Sequence, residues 1–144
     1  MRRILFFLIL SLLASGNVNA GCDDSLADGV DYTNCRFSDG QDLQGSYLPN
    51  SNLSFAGFIQ VNFDKSIMMN SILAFGTFSE SSFIRANFQC ASLIEANFKD
   101  SNLFEANFTA ANITNANFEG SNLNNATWAD GKKCGLGSIG ECKK

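Results

Sequence analysis

Ala86-Asn87-Phe88-Gln89-Cys90-Ala91-Ser92-Leu93-Ile94-Glu95-Ala96-Asn97-Phe98-Lys99-Asp100 states one pattern three times: a small residue, a polar residue, a large apolar residue and two variable positions. Followed in both directions, the apolar member recurs every five residues from Leu43 to Trp128. It is Leu43, Leu48, Leu53, Phe58, Phe63, Met68, Leu73, Phe78, Phe83, Phe88, Leu93, Phe98, Leu103, Phe108, Ile113, Phe118, Leu123 and Trp128, eighteen residues with no polar member. Two residues before each stands Ser, Ala or Gly, and only Gln41 and Val61 break that second series. A period of five fits neither the 3.6 of an α-helix nor the 2.0 of a strand. Self-similarity at a fixed short period marks a solenoid, in which each unit buries its apolar residue only by stacking on its neighbours.

Ala86-Asn87-Phe88, Ala96-Asn97-Phe98, Ala106-Asn107-Phe108 and Ala116-Asn117-Phe118 match the consensus of the pentapeptide-repeat family, which the chain resembles over 43–128. The resemblance implies an all-β fold, a right-handed quadrilateral β-helix with one repeat per side and four per coil. Eighteen repeats make about four and a half coils, a shaft about 20 Å long at roughly 4.8 Å per layer. Residues 20 apart then share a side on adjacent coils. Arg85 should lie beside Glu105 and Lys99 beside Glu119, whereas a three-sided coil of 15 residues would set Arg85 beside Asp100.

The ends differ from the shaft. Arg2 and Arg3 precede the apolar run from Ile4 to Ala14, and Val18 and Ala20 suit a cleavage after Ala20. This is the three-part layout of a secretory signal peptide over 1–20, and the apolar run is too short to span a bilayer. The expected location is therefore exported, periplasmic or secreted. Gly21-Cys22 would suit the end of a lipobox, but Asn19 stands where such boxes carry Leu. Residues 21–42 read as an N-terminal cap with the first irregular repeats, and 129–144 as a C-terminal cap. Tyr32 and Phe37 are five apart and begin the first coil, while six residues separate Phe37 from Leu43, an extra residue that Asp39-Gly40 absorbs in a bulge or corner. Pro49, one after Leu48, is expected outward, where its missing donor is tolerable.

Loss of the leader removes two of ten basic residues against fourteen acidic ones, leaving a net charge of −6. Nucleic acid and anionic membranes call for clustered Lys and Arg, so neither is an expected partner. Some relatives act as acidic DNA mimics that inhibit nucleic-acid enzymes; that alternative fits the charge, conflicts with export, and is diluted by Lys65, Arg85 and Lys99. All five cysteines lie in the exported part, where disulfides are permitted. Cys22 with Cys35, and Cys134 with Cys142, are local pairs that bracket the two caps, and both end segments resemble those of exported relatives. Metal or redox chemistry is the alternative for these cysteines; the sequence has no His and no Cys-x-x-Cys, which favours structural stapling. Cys90 is the odd thiol: free, paired between molecules, or a corner residue.

No catalytic constellation or phosphate-cradling loop is present, so a non-enzyme without cofactor or metal is expected. Asp23, Asp24, Asp28 and Asp31 match no dedicated calcium loop. The Asn-x-Ser/Thr triplets at Asn52, Asn107, Asn112 and Asn125 arise from the repeat itself. Outward register positions are mostly polar, but Tyr47, Phe55, Ile67, Met69, Ile72, Ala74, Phe75 and Ile94 are apolar and project onto two adjoining sides. Ile84 and Phe104 on a third side and Ile59 on the fourth dilute the pattern. A contiguous apolar patch marks an interface, whereas isolated surface apolars need no explanation. The function expected is a protein-interaction or structural module, binding an unknown protein or itself.

Overall fold

The computed structural model describes residue 22, residues 26–37 and residues 39–144. The expected signal peptide, its cleavage site and Asp23-Asp24 lie outside the described residues. From residue 42 onward every parallel bridge joins a residue to one 20 further along, from Asp42↔Asn62 to Asn107↔Thr127. The first two, Asp31↔Asn52 and Arg36↔Gly57, span 21, so the extra residue between Phe37 and Leu43 is absorbed there, with Gly40 at φ +76°. Twenty residues per coil, five per side, gives a four-sided β-helix. Side 1 is centred on Tyr32, Leu53, Leu73, Leu93 and Ile113. Side 2 follows on Phe37, Phe58, Phe78, Phe98 and Phe118, side 3 on Leu43, Phe63, Phe83, Leu103 and Leu123, and side 4 on Leu48, Met68, Phe88, Phe108 and Trp128. Tyr32 and Phe37 join the eighteen expected repeats, so the shaft is five coils rather than four and a half.

Each inward ring lies on the one below. Phe37, Phe58, Phe78, Phe98 and Phe118 form a near-parallel stack with centroids 4.3–5.6 Å apart. Phe63–Phe83 and Phe88–Phe108 repeat it at 5.1 Å. Edge contacts such as Phe88–Phe98, at 78°, tie sides 2 and 4 across the interior. The small residue two places earlier is also inward and crowded, since a Cβ on Gly76 would come 2.6 Å from the Phe78 ring. Not every core member is fully covered: Leu43, Ile113 and Trp128, in the first and last coils, are half-buried.

The five backbone amides of a repeat have five separate destinations. The central residue donates to the coil above (Phe88 N to Asn107 O, 2.8 Å), and so does the residue two later (Cys90 N to Thr109 O, 3.1 Å). The next closes the corner (Ala91 N to Phe88 O, 3.0 Å), and the fourth donates to the coil below (Ser92 N to Ser71 O, 2.9 Å). The remaining amide, one after the central residue, meets no backbone acceptor, and the Asn of the motif supplies one: Gln89 N donates to Asn87 Oδ1 at 3.0 Å. The same bond recurs from Asn52, Asn62, Asn97, Asn107 and Asn117. This Asx turn explains why the motif carries Asn or Asp.

Each corner turns on a left-handed residue, and most are not Gly. Phe55, Lys65, Glu80, Arg85, Cys90 and Glu95 have φ between +55° and +60°. Such a conformation costs on the order of 1 kcal/mol and persists where the surroundings over-determine it; here both the corner bond and the bond to the coil above do so. Val61, the bulky exception in the small series, is buried, and its amide donates instead to Ser81 Oγ at 3.0 Å, which in turn donates to Phe58 O at 3.2 Å.

Two outward assignments need correction. Pro49 is buried, because residues 28–30 run beneath it and Gly29 N donates to its carbonyl at 3.0 Å. Ala74 is only 8% exposed, since one methyl group does not reach past the larger side chains flanking it.

Two stability outcomes follow from the core. Phe88→Asp, placing an unpaired charge in the ring stack, should cost several kcal/mol, whereas Gln89→Asp one position later should be near neutral; equal melting temperatures for the two would refute the register. Ser66 Oγ is buried without a hydrogen-bond partner, so Ser66→Ala should stabilise by about 1–3 kcal/mol in urea unfolding.

Candidate functional site: an apolar surface on sides 4 and 1

The apolar outward residues gather on the first four coils. Tyr47 and Ile67 are bridged neighbours on side 4, with Met69 beside them. Ile72 lies on side 1, between Asn52 below and Ser92 above, and Ile94 follows one coil higher on that side. Phe55 and Phe75 occupy successive left-handed corners at the end of side 1, their rings stacked at 4.9 Å and 5°. Tyr47 is 57% exposed, Phe55 56%, Phe75 45% and Ile72 44%, while Ile67, Met69 and Ile94 are half-buried. The patch is therefore an exposed aromatic ridge with flatter apolar ground beside it.

Two shallow hollows flank the ridge. One of about 290 Å³ is lined by Asn34, Cys35, Arg36, Asp39, Phe55, Gly57, Ile59 and Thr77. The other, about 250 Å³, is lined by Gly29, Val30, Asp31, Asn50, Asn52 and Ile72. Beside it Asp31 accepts from the Thr33 hydroxyl and amide, which holds its carboxyl below the ordinary value. A depressed carboxyl contributes its stability above the ordinary carboxylate pKa, and loses it as pH falls through the folded value.

One feature of this surface escapes a reading of composition. Ile67 and Ile72 stand where the motif carries its Asn acceptor, and among the described residues the amides of Met69 and Ala74 have no protein acceptor. The amides of Ile59, Ser79, Ile94 and Ala129, which follow Gly57, Thr77, Ser92 and Thr127, likewise have no protein acceptor among the described residues, whereas two other positions compensate. Tyr47 is followed by Pro49, which has no amide proton, and Ser82 is followed by Ile84, whose amide donates to Asp64 Oδ1 at 2.9 Å. At Ile67 and Ile72 the chain carries apolar surface at the expense of a hydrogen bond that the repeat ordinarily makes.

Charge is arranged in short cross-coil ladders. Arg85 Nε lies 2.5 Å from Glu105 and Lys99 Nζ 3.2 Å from Glu119, as 20-residue stacking requires. The hydrogen bond that Arg85 donates to Glu105 raises the Arg85 pKa further. Both pairs are exposed and contribute little to stability. Among the described residues no cluster of His, Cys, Asp and Glu could hold a metal ion. No helix there is long and apolar enough to cross a membrane.

Cys22 and Cys35 stand at disulfide distance, as do Cys134 and Cys142, with Cα separations of 5.2 and 5.0 Å. Cys90 is exposed and unpaired. Non-reducing peptide mapping should recover 22–35 and 134–142 linkages with Cys90 free, and any link from Cys90 to the other four overturns the assignment. By chain-entropy reasoning each loop is worth about 2–3 kcal/mol, so reduction should lower the unfolding midpoint.

The family model for pentapeptide repeats matches residues 70–100 and 101–127, in eight copies. A search of curated protein sequences gives no match. Among solved structures, a pentapeptide repeat protein of the Arabidopsis thaliana thylakoid lumen is 21% identical, with 77% of this chain and 75% of that one covered at a TM-score of 0.65. QnrB1, a plasmid-mediated fluoroquinolone resistance protein, is 19% identical, covering 69% and 65% at 0.46. HetL, a pentapeptide repeat protein involved in heterocyst differentiation regulation in the cyanobacterium Nostoc, is 20% identical, covering 73% and 52% at 0.41. Residues 70–127 belong to the pentapeptide-repeat family, and the whole shaft is folded as its right-handed β-helix.

Proposed function

We propose that this is an exported, non-catalytic interaction module that binds a protein partner through the apolar surface of sides 4 and 1. The observation that carries the reading is the exposed Phe55–Phe75 stack beside Ile72, where an Asn acceptor has been exchanged for an apolar side chain. Folding alone favours Asn there, so the apolar residue points to a use outside folding. Aromatic residues on a rigid backbone, rimmed by polar groups such as Asn34, Asn52 and Thr77, are the usual composition of a binding hot spot. A non-catalytic role is supported by a sequence without His.

Export is supported by the three-part leader and by cysteines that pair locally within each cap. A Cys22 sulfur bonded to Cys35 cannot also carry a thioether lipid, which favours a periplasmic or secreted protein over a lipoprotein. The acidic DNA-mimic alternative is disfavoured by the ladders, which set Arg85 and Lys99 against Glu105 and Glu119.

The substitution Ile72→Asn separates folding from function. Restoring the acceptor for the Ala74 amide should raise stability by about 0.5–1.5 kcal/mol, while Ile72→Asn with Phe55→Ser should lower capture of the partner from the exported fraction at least about tenfold. Recovery of the same proteins at the same level by wild type and double variant would sink the reading. Fractionation of the producing cells should find the chain outside the cytoplasm with residues 1–20 removed.

A further inference from the structure

We propose that the hollow on side 2 beneath Phe55 binds a neutral hexopyranose, one sugar ring seated against Phe55 and hydrogen-bonded to the groups around it. The hollow is opened by Gly57, whose bridged successors on the same side are Thr77, Asn97 and Asn117. Backbone conformation does not call for glycine there, since Gly57 is not among the left-handed residues. Packing does not call for it either: a Cβ would meet only Arg36 Cγ, at an ordinary 3.6 Å. Without an Asn side chain at 57 the Ile59 amide has no acceptor, and Thr77 in the same column leaves the Ser79 amide in the same state. Position 57 thus lacks both a side chain and a hydrogen bond that folding would use, which points to a use for the space itself.

The groups that line the space are those a sugar ring requires. Phe75 stacks on one face of the Phe55 ring, at 4.9 Å and 5°. Phe75 does not line the hollow, whereas Asn34, Cys35 and Arg36 of the coil below do, so the other face of Phe55 fronts it. The electron-rich face of an aromatic ring attracts the C–H groups on one side of a pyranose. Beside it the Ile59 amide and the Arg36 guanidinium can donate, the Asp39 carboxylate can accept, and Asn34 and Thr77 can do both. Among the described residues none of these four side chains is held by a hydrogen bond or an ion pair. A hydroxyl both donates and accepts, so neighbouring hydroxyls of one ring satisfy groups of either kind.

Charge and size narrow the class. Among the described residues Arg36 and Asp39 are the charged groups lining the hollow. They offset one another, so a neutral ligand is favoured over an anion or a cation. At about 290 Å³ the space lies near the lower limit of the roughly 300–1,000 Å³ typical of ligand pockets, which suits a single ring. The site lies across the aromatic ridge from Ile67 and Ile72 and shares only Phe55 with the apolar surface of sides 4 and 1. It therefore stands whether or not a protein binds there.

Titration of the isotope-labelled, oxidised chain with glucose, galactose, mannose and N-acetylglucosamine, followed by NMR, tests this. At least one of these sugars should move the Ile59 amide resonance, with a Kd in the millimolar range that suits so small a ligand. Gly57→Asn, which supplies the missing acceptor and fills the hollow, should abolish binding while melting no lower than wild type. Asp39→Asn and Phe55→Leu should each weaken binding about threefold to tenfold, through loss of a charged acceptor and of the ring face respectively. Ile72→Asn should bind the sugar as wild type does, so failure of this site and failure of the partner-binding surface are read separately. No movement of Ile59 with any of the sugars, equal binding by wild type and Gly57→Asn, or binding indifferent to both Asp39→Asn and Phe55→Leu would overturn the proposal. Tighter binding of benzoate than of every sugar would also overturn it, since the hollow would then be an anion site.

Discussion

A coil of this shaft closes only if every fifth residue turns inward while the backbone makes a right-angled corner within two residues, and that demand governs the other features. The corner is met by a left-handed residue at positions as varied as Phe75, Glu80, Arg85 and Cys90. Side chains there tolerate the conformation because two backbone hydrogen bonds hold each corner, one across the turn and one to the coil above. With the corner settled, four of five amides find backbone acceptors, and the fifth needs the Asn or Asp of the motif. Core stacking and hydrogen-bond satisfaction are thus two consequences of one closure condition, and they act together at every layer.

Stacking that succeeds by repetition leaves the problem of where to stop. The N-terminal end is closed by short local devices: Leu26 packs against the core, Tyr32 Oη accepts from Ala27 N, and Cys22 stands beside Cys35. The C-terminal end is closed by reversing the chain, so that antiparallel segments replace a sixth coil on sides 3 and 4. Neither device needs a large core, which suits a narrow solenoid where each layer contributes four large inward side chains. Local disulfides act on the same segments, limiting fraying where nearest-neighbour packing is halved.

The surface divides into a part that serves the fold and a part that departs from it. The upper coils carry Asn ladders, with Asn117 Nδ2 donating to Asn97 Oδ1 at 3.1 Å and Asn122 Nδ2 to Asn102 Oδ1 at 3.2 Å. In the lower coils on sides 4 and 1, Ile67 and Ile72 interrupt that scheme, and Phe55 and Phe75 cover the corner beside them. Departures from a local rule without structural compensation concentrate at functional sites, because folding by itself has no use for them. The chemistry of this surface is apolar and aromatic, suited to contact rather than to proton or group transfer.

Read alone, the amino-acid order determined the shaft, because a period of five admits few geometries and each repeat meets the same constraints as its neighbours. The inward stacks, the 20-residue offset and the Arg85–Glu105 and Lys99–Glu119 ladders all follow from counting. The apolar patch was legible for the same reason, since Phe55 and Phe75 must stack if coils have 20 residues. What the order did not disclose lies where repetition fails. Pro49 is buried by a cap whose path has no period, and Ala74 is shielded by side-chain size rather than register. The opening of the first coil by Tyr32 and Phe37 was legible in their spacing, whereas the half-buried state of Ile113 depended on the chain reversing at Gly131 instead of covering it. Those outcomes are decided by tertiary packing at the ends, where no neighbouring repeat dictates what comes next.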